Sequence, residues 1–369
     1  MLITLYLSIF GTMNHNKKTV FLAVLLPIQV IFINFISGKT QFIEEYYSNG
    51  IYPYISRFLR LIFGWLPISI GDLIGLILIC LFVFETYKII KNRFRNLIKK
   101  SIRFIAFLSI IYCFFYLFWG LNYFREPLAK KLNLKSSQYT TEQLIETSIS
   151  FIDTLNSIQT SISGNDTIKI IVPYTNREIY NKVSDAYLNL SNQFPQLTYK
   201  SPSIKNSIVS LFQSYNGTSG YLNPITGEAQ VNSMIPKAGM PATACHEVAH
   251  QIGWSAENEA NFVGFLASVA SDDIYFKYSG YRMALRYCIR ELRKREPELF
   301  KQYWLKINKG IRKELKDNYD FWKQFENPIE PYLKKGYNSY LKANNQAKGI
   351  ESYSYVVDLL IAYTEQNKP

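Results

Sequence analysis

Histidine and cysteine are the scarce residues in this 369-residue chain: there are three histidines and four cysteines. No CxxC pair occurs, and four cysteines in a chain of this length form no disulfide framework. Cys80 and Cys113 lie in apolar runs, while Cys245 and Cys288 lie in the polar part, where one bridge between them is conceivable in an oxidising compartment. Internal repeats and low-complexity tracts are lacking, and so is the regular strand–helix alternation of a nucleotide-binding fold. Acidic residues are also short, with 28 against 41 basic ones, a net charge of +13. What is plentiful is apolar surface: 48% of the residues are hydrophobic. That excludes disorder as the main state, and the length allows two or three domains.

The basic excess would suggest nucleic acid, but its position argues otherwise. Residues 1–123 hold 12 Lys/Arg and 4 acids, whereas the remaining 246 hold 29 and 24. The excess therefore sits among three apolar runs, at 19–37, 68–84 and 104–121, each close to the ~20 residues that cross a bilayer core. Lys17 and Lys18 precede the first run, no small-residue cleavage site follows it, and it reads as an uncleaved anchor. Translation from Met1 and from Met13 both fit. Asp72 is the one charge of the second run, near its end, where it can stay hydrated; Trp119 and Tyr123 at the exit of the third suit an interfacial belt. Residues 88–103 carry seven positive charges and no acid, so the positive-inside rule places them in the cytoplasm. A cytoplasmic N-terminus and three crossings then put everything after Tyr123 outside, in a multi-pass protein of the cell (inner) membrane. Between the first two runs, Tyr52–Leu66 interleaves Arg57 and Arg60 with aromatics, as in an interfacial helix or one packed under the outer domain.

Residues 124–369 read as one polar domain. Apolar spacing predicts helices over 140–161, starting at Thr141, and over 178–194. TIKIIV at 167–172 and SIVSLF at 207–212 read as strands, and a turn at Pro224–Gly227 leads into GEAQVNS, 227–233, a candidate edge strand. After Pro241 the pattern is helical almost to the end. The fold class is therefore α+β: a three-helix membrane region, then a mostly helical domain with a small sheet.

Within that domain, His246-Glu247-Val248-Ala249-His250 is an HExxH. On a helix both imidazoles share a face and can reach one ion, and Glu247 can address a water on it. With 3 His and 19 Glu, a shuffled chain contains this pattern about 0.001 times. A catalytic zinc needs a third protein ligand. His15 precedes the first span, on the opposite side of the membrane, so the third ligand is expected to be a carboxylate, with Glu257 and Glu259 both in reach. Gly253 permits a turn between two helices, and Ser255 is a candidate N-cap for the second. No histidine remains to stabilise an oxyanion; Tyr353, Tyr281 and Arg282 are candidates.

HExxH followed by SAENEANFVG resembles the gluzincin zinc metallopeptidases, which include membrane-bound heat-shock and prenyl-protein proteases. The resemblance implies a zincin-like domain with Glu257 as zinc ligand and Asn261 supporting the site from behind, where gluzincins carry Asp. The spacer QIGWSA is shorter than in most gluzincins. HExxHxxG also opens the metzincin signature, whose third histidine falls at Ala256. Over most of its length the chain is similar to an uncharacterised family of bacterial multi-spanning membrane proteins, through GYLNPITGEAQVN, HEVAHQIGWSAENEANF and SYSYVVDLLIAY.

These features lead to one expectation: a membrane-anchored zinc metalloendopeptidase. His246, His250 and Glu257 would hold Zn²⁺, and Glu247 would activate the attacking water. Its partners would be a peptide or protein substrate and the bilayer, with no nucleic acid. The alternative is a non-catalytic envelope protein that uses a zincin scaffold to bind a partner or sense a signal.

Overall fold

The computed structural model describes residues 17–135, 139–349, 351 and 355–368. His15, Tyr353 and both candidate start methionines lie outside them. Among the described residues before Trp119, the α-helices of twelve residues or more are α1 (Lys17–Ser37), α2 (Tyr52–Phe63), α3 (Ile70–Lys91) and α4 (Leu97–Phe118). Of these, α1, α3 and α4 are long and apolar enough to span a membrane, with mean hydropathies of 2.4, 2.2 and 2.0 over their best windows. The membrane association expected of residues 1–123 rests on these helices. The basic stretch 88–103 is mostly helix rather than loop, because only 92–96 separates α3 from α4 and the charges ride on the helix ends.

The segment joining α1 to α3 packs on the polar domain. A π-helical stretch, Ile43–Ile51, precedes α2. One face of α2 (Tyr52, Ser56, Leu59, Arg60) is buried, while Tyr54 and Trp65 beside it are 77% and 76% exposed. The helix therefore packs on the domain, a polar-and-aromatic stripe docking on protein while an apolar stripe is left bare.

In the polar domain, α5 (Thr141–Ser163) and α6 (Asn176–Gln193) form where the spacing predicts helices, and each starts with a capping box, Thr140/Gln143 and Thr175/Glu178. The strand expected at 167–172 does not form. Its alternation is real, with Ile170 and Val172 buried and Ile171 exposed. Its backbone, however, is claimed elsewhere: the Ile168 carbonyl accepts from Gln159 Nε2 at 2.7 Å, and the Thr167 carbonyl from Lys313 at 3.1 Å. The strand expected at 207–212 is also absent. Asp72 accepts from the Ile208 N–H at 2.7 Å and Ser207 Oγ from Val209, which turns the chain into α7 (Ser210–Tyr215).

The sheet has three strands, β1 (Ile204–Asn206), β2 (Gly220–Asn223) and β3 (Glu228–Val231), in the order β1-β3-β2. β1 runs parallel and β2 antiparallel to β3, with Ile204 and Leu222 both opposite Ala229. The segment 227–233 is therefore no edge: β3 is the central strand, buried along its length, and β2 is the edge. Seven helices follow: α8 (Met240–Gln251), α9 (Glu257–Ala270), α10 (Ile274–Arg295), α11 (Pro297–Lys306), α12 (Lys309–Lys323), α13 (Glu330–Ala343) and α14 (Val356–Gln366). One apolar core runs through them and includes Leu144, Tyr187, Phe262 and Leu360. Cys245 and Cys288 are separate buried thiols, not a bridge, and burial pushes both up to about 12.

The sheet is bolted to the start of α3. Glu228 accepts from the Gly71 N–H at 2.6 Å and the Ile70 N–H at 3.2 Å, and it is ion-paired with the buried Lys205. Asp72 is not hydrated; it is 3% exposed and accepts from Ser207, Ile208 and Tyr221. Two carboxylates thus sit at the positive end of the helix dipole and fix α3 to the domain.

Candidate metal centre

Pro241 occupies the first turn of α8, where its missing N–H costs nothing, and His246 and His250 follow on one face of the helix. The chain reverses at Gly253, whose φ is +93°. A side chain there would also meet the Tyr52 ring at 2.9 Å. α9 then returns across α8, so closely that a Cβ on Gly264 would lie 3.0 Å from the His246 nitrogen. Ser255 does not cap this helix; Ala256 stands at the N-cap with no side-chain bond, and Ser255 is buried.

This return delivers Glu257 to the imidazoles. Its Oε2 lies 3.4 Å from His246 Nε2 and 3.7 Å from His250 Nε2. Its Oε1 accepts from Tyr337 Oη, on α13, at 2.6 Å. His250 Nδ1 bonds the Trp254 carbonyl at 2.8 Å, so that nitrogen carries a proton and Nε2 is the atom turned toward Glu257. Glu247 completes the group, with one ligand atom from each of His246, Glu247 and His250 within 4.8 Å of one another. A Cβ on Gly220 of β2 would clash with Glu247 Oε1 at 2.6 Å, so glycine is what lets the edge strand lie over this carboxylate.

The electrostatics follow from burial. Burial raises Glu247 to about 6, with Glu257 adding to the shift and the two imidazoles opposing it. Burial also pushes Glu257 up, but its bonds to His246 and His250 outweigh that and hold it well below the carboxylate range. Burial pushes His250 down, but its bond to Glu257 and the charges of Glu257 and Glu247 outweigh that and hold it above its ordinary value, so the buried carboxylates favour positive charge among them. Buried His246 Nδ1, Glu247 Oε2 and Asn261 Nδ2 have no hydrogen-bond partner among the described residues.

Of the expected residues, His246, Glu247, His250 and Glu257 come together. Glu259 does not; its carboxylate accepts from the Leu128 N–H at 2.7 Å, on the other side of α9, and burial raises it to about 7. Asn261 faces the cleft but bonds neither imidazole, and the Trp254 carbonyl does the orienting of His250. Two of the three oxyanion candidates are among the described residues, and both are engaged elsewhere. Arg282 is locked in a buried two-point pair with Glu314, at 2.6 and 2.8 Å, and Tyr281 packs in the core against Phe151 and Phe265. Tyr337 and the cleft-lining Arg286 and Tyr287 were not legible; one arginine or tyrosine on an amphipathic helix carries no sequence signal.

The site lies in a cleft of about 1870 Å³, walled by β2, α10, α13 and the domain end of α3. The end of α8 is fastened from the membrane side. The His250 carbonyl accepts from Trp119 Nε1 at 3.0 Å, and the Gln251 carbonyl from Tyr52 Oη at 2.9 Å, Ser56 Oγ at 2.7 Å and Arg60 Nη1 at 3.0 Å. These bonds satisfy carbonyls that a helix terminus leaves open.

The fold defines a mostly helical, membrane-associated protein with a small sheet and a buried His–Glu cluster. The chain belongs to a family of proteins of unknown function, DUF3810, which matches residues 47–361 and so takes in α2, the spans α3 and α4, and the cluster. No curated protein and no solved structure matches it.

Proposed function

We propose that the protein is a membrane-anchored zinc-dependent metallopeptidase. The observation that carries this reading is the convergence of both Nε2 atoms on Glu257 Oε2, at 3.4 and 3.7 Å. Two ligands at ~2.0–2.1 Å on a tetrahedral ion stand about 3.3 Å apart, so the donor set fits zinc with little movement. His246, His250 and Glu257 would hold the ion, and a fourth position would stay open to the cleft. Bound zinc would acidify a water and polarise a carbonyl.

The chain's own residues account for the rest. Glu247, at about 6, is suited to take a proton from the attacking water and return it to the leaving amine. Tyr337 occupies the second oxygen of Glu257, which favours single-atom ligation. β2 has a free edge, and a peptide laid along it as a further strand would pass over Glu247. The cleft exceeds the ~300–1,000 Å³ of small-molecule sites, which favours a polymeric substrate. The domain sits at the ends of α3 and α4 opposite the basic turn, and the positive-inside rule then favours an extracytoplasmic domain on the cell (inner) membrane.

The test is Glu247→Gln in the full-length protein. Zinc should stay bound while peptide hydrolysis falls at least 10²-fold. Hydrolysis that survives the substitution overturns the mechanism. Zinc binding without hydrolysis in the wild type leaves the scaffold reading, in which the site only holds a partner.

A further inference from the structure

We infer that the substrate is a polypeptide anchored in the same bilayer, and that it reaches the site sideways between α3 and α4; this rests on the peptidase reading above. The cleft that holds His246 and Glu247 does not end at the domain surface. The same cavity is lined by Gly75, Leu76 and Ile79 of α3 and by Phe115 and Trp119 of α4. Asp72, Gly75, Leu76 and Ile79 follow helical i, i+3, i+4, i+7 spacing, so a single face of α3 forms this wall. Ile79 lies about 10 Å along the helix from Asp72, inside the apolar span.

The gap is built, not incidental. α4 packs along α1, and α3 meets α4 lower down, where the Phe82 and Phe104 rings stand 6.0 Å apart near the basic turn. Above that contact Leu76 and Ile79 remain 38% and 61% exposed. A Cβ on Gly75 would touch nothing within 4 Å. At the top of the gap Trp119 meets the His250 ring edge to face at 5.8 Å, so the passage opens beside the cluster.

An apolar slot at membrane depth offers nothing to a peptide arriving from water. It does suit a membrane-spanning helix, whose apolar side chains can lie against Leu76, Ile79 and Phe115. Beyond the bilayer surface the same chain must leave the helix, and the free edge of β2 supplies the main-chain bonds that an extended segment needs. Cleavage should then fall in the few residues just outside the substrate's span.

The experiment uses the full-length, zinc-loaded protein in phosphatidylethanolamine/phosphatidylglycerol vesicles. The probes are two reporter libraries that share one randomised twelve-residue linker. In the first the linker follows a single transmembrane helix, and in the second that helix is absent. The tethered library should be cut in the linker at least tenfold faster, at matched concentration in the vesicle volume. Gly75→Trp, checked for unchanged zinc content, should lower the tethered-to-soluble ratio at least tenfold. Equal rates for the two libraries, or a ratio unmoved by Gly75→Trp, overturn this inference and leave the peptidase reading standing. No cleavage of either library overturns both.

Discussion

The indole Nε1 of Trp119, at the exit of α4, donates to the carbonyl of His250 at 3.0 Å. The residue that follows a spanning helix thus holds the backbone of an HExxH histidine. The same carbonyl also receives Tyr52 Oη at 3.3 Å and the Gly253 N–H at 3.1 Å, so its loss of one donor is partly covered. Trp119→Phe should therefore cost only about 1 kcal/mol, whereas Trp119→Ala, which also empties a buried site, should cost about 3–5 kcal/mol. Thermal unfolding of the full-length protein in detergent checks the difference; equal shifts would mean the indole contributes packing alone.

Glu257 and Glu259 give opposite expectations although they are two residues apart. Glu257→Gln should weaken zinc binding at least 100-fold, because it replaces an ionised oxygen facing both Nε2 atoms. Glu259→Gln should leave zinc affinity within about threefold, since that side chain accepts from Leu128 behind the helix and an amide oxygen can do the same. Competition against a chromogenic chelator measures both, and a reversed order would reassign the third ligand.

Tyr337→Phe removes the hydroxyl bonded to Glu257 Oε1 and keeps the ring that stacks on Tyr340. Outer partners of metal ligands are typically worth 10–100-fold in affinity, and a loss in that range is expected here with the fold intact. Unchanged zinc affinity would show that α13 only borders the site.

The Glu44 network should set the acid limit of stability. Glu44 is 3% exposed and takes two bonds from Arg125, at 2.9 and 3.1 Å, plus Lys131 at 3.1 Å. Burial raises its carboxyl, but Arg125 and Lys131 outweigh this and lower it below 4.5. A lowered folded-state value means the stabilisation is present above about pH 4.5 and disappears as pH falls through the folded value. Arg125 also caps the Trp254 ring at 3.7 Å and donates to the Gly253 carbonyl, so losing the network loosens the turn after the motif. Glu44→Gln should destabilise the protein at pH 7, because it strands a buried guanidinium, and that cost should shrink by up to about 2 kcal/mol as pH falls from 4.5 to 3. Melting temperatures across pH 3–7 give the comparison, and an equal cost at both ends would contradict it.

Much of this was legible because it is local. The three spans announce themselves by apolar length, the helices at 141–163 and 176–193 by their apolar spacing, and the cluster by two histidines four apart. Glu257 was preferred to Glu259 through family resemblance, and the geometry agrees because α9 turns only one of them toward the imidazoles. What stayed hidden depends on distant partners. The alternation at 167–172 looks like a strand until Gln159 and Lys313 occupy its carbonyls. Asp72 looks like a hydrated interfacial charge until the sheet supplies Ser207 and the Ile208 N–H. Nothing in one chain marks Tyr337 among 28 tyrosines. Arg282 looks available until Glu314 arrives from 32 residues away.

The most direct test of the account is the zinc content of the purified full-length protein, wild type beside His246→Ala. One zinc per chain in the wild type and none in His246→Ala is the predicted result. A folded wild type that binds no zinc, or a His246→Ala protein that binds as much as the wild type, would contradict the central claim.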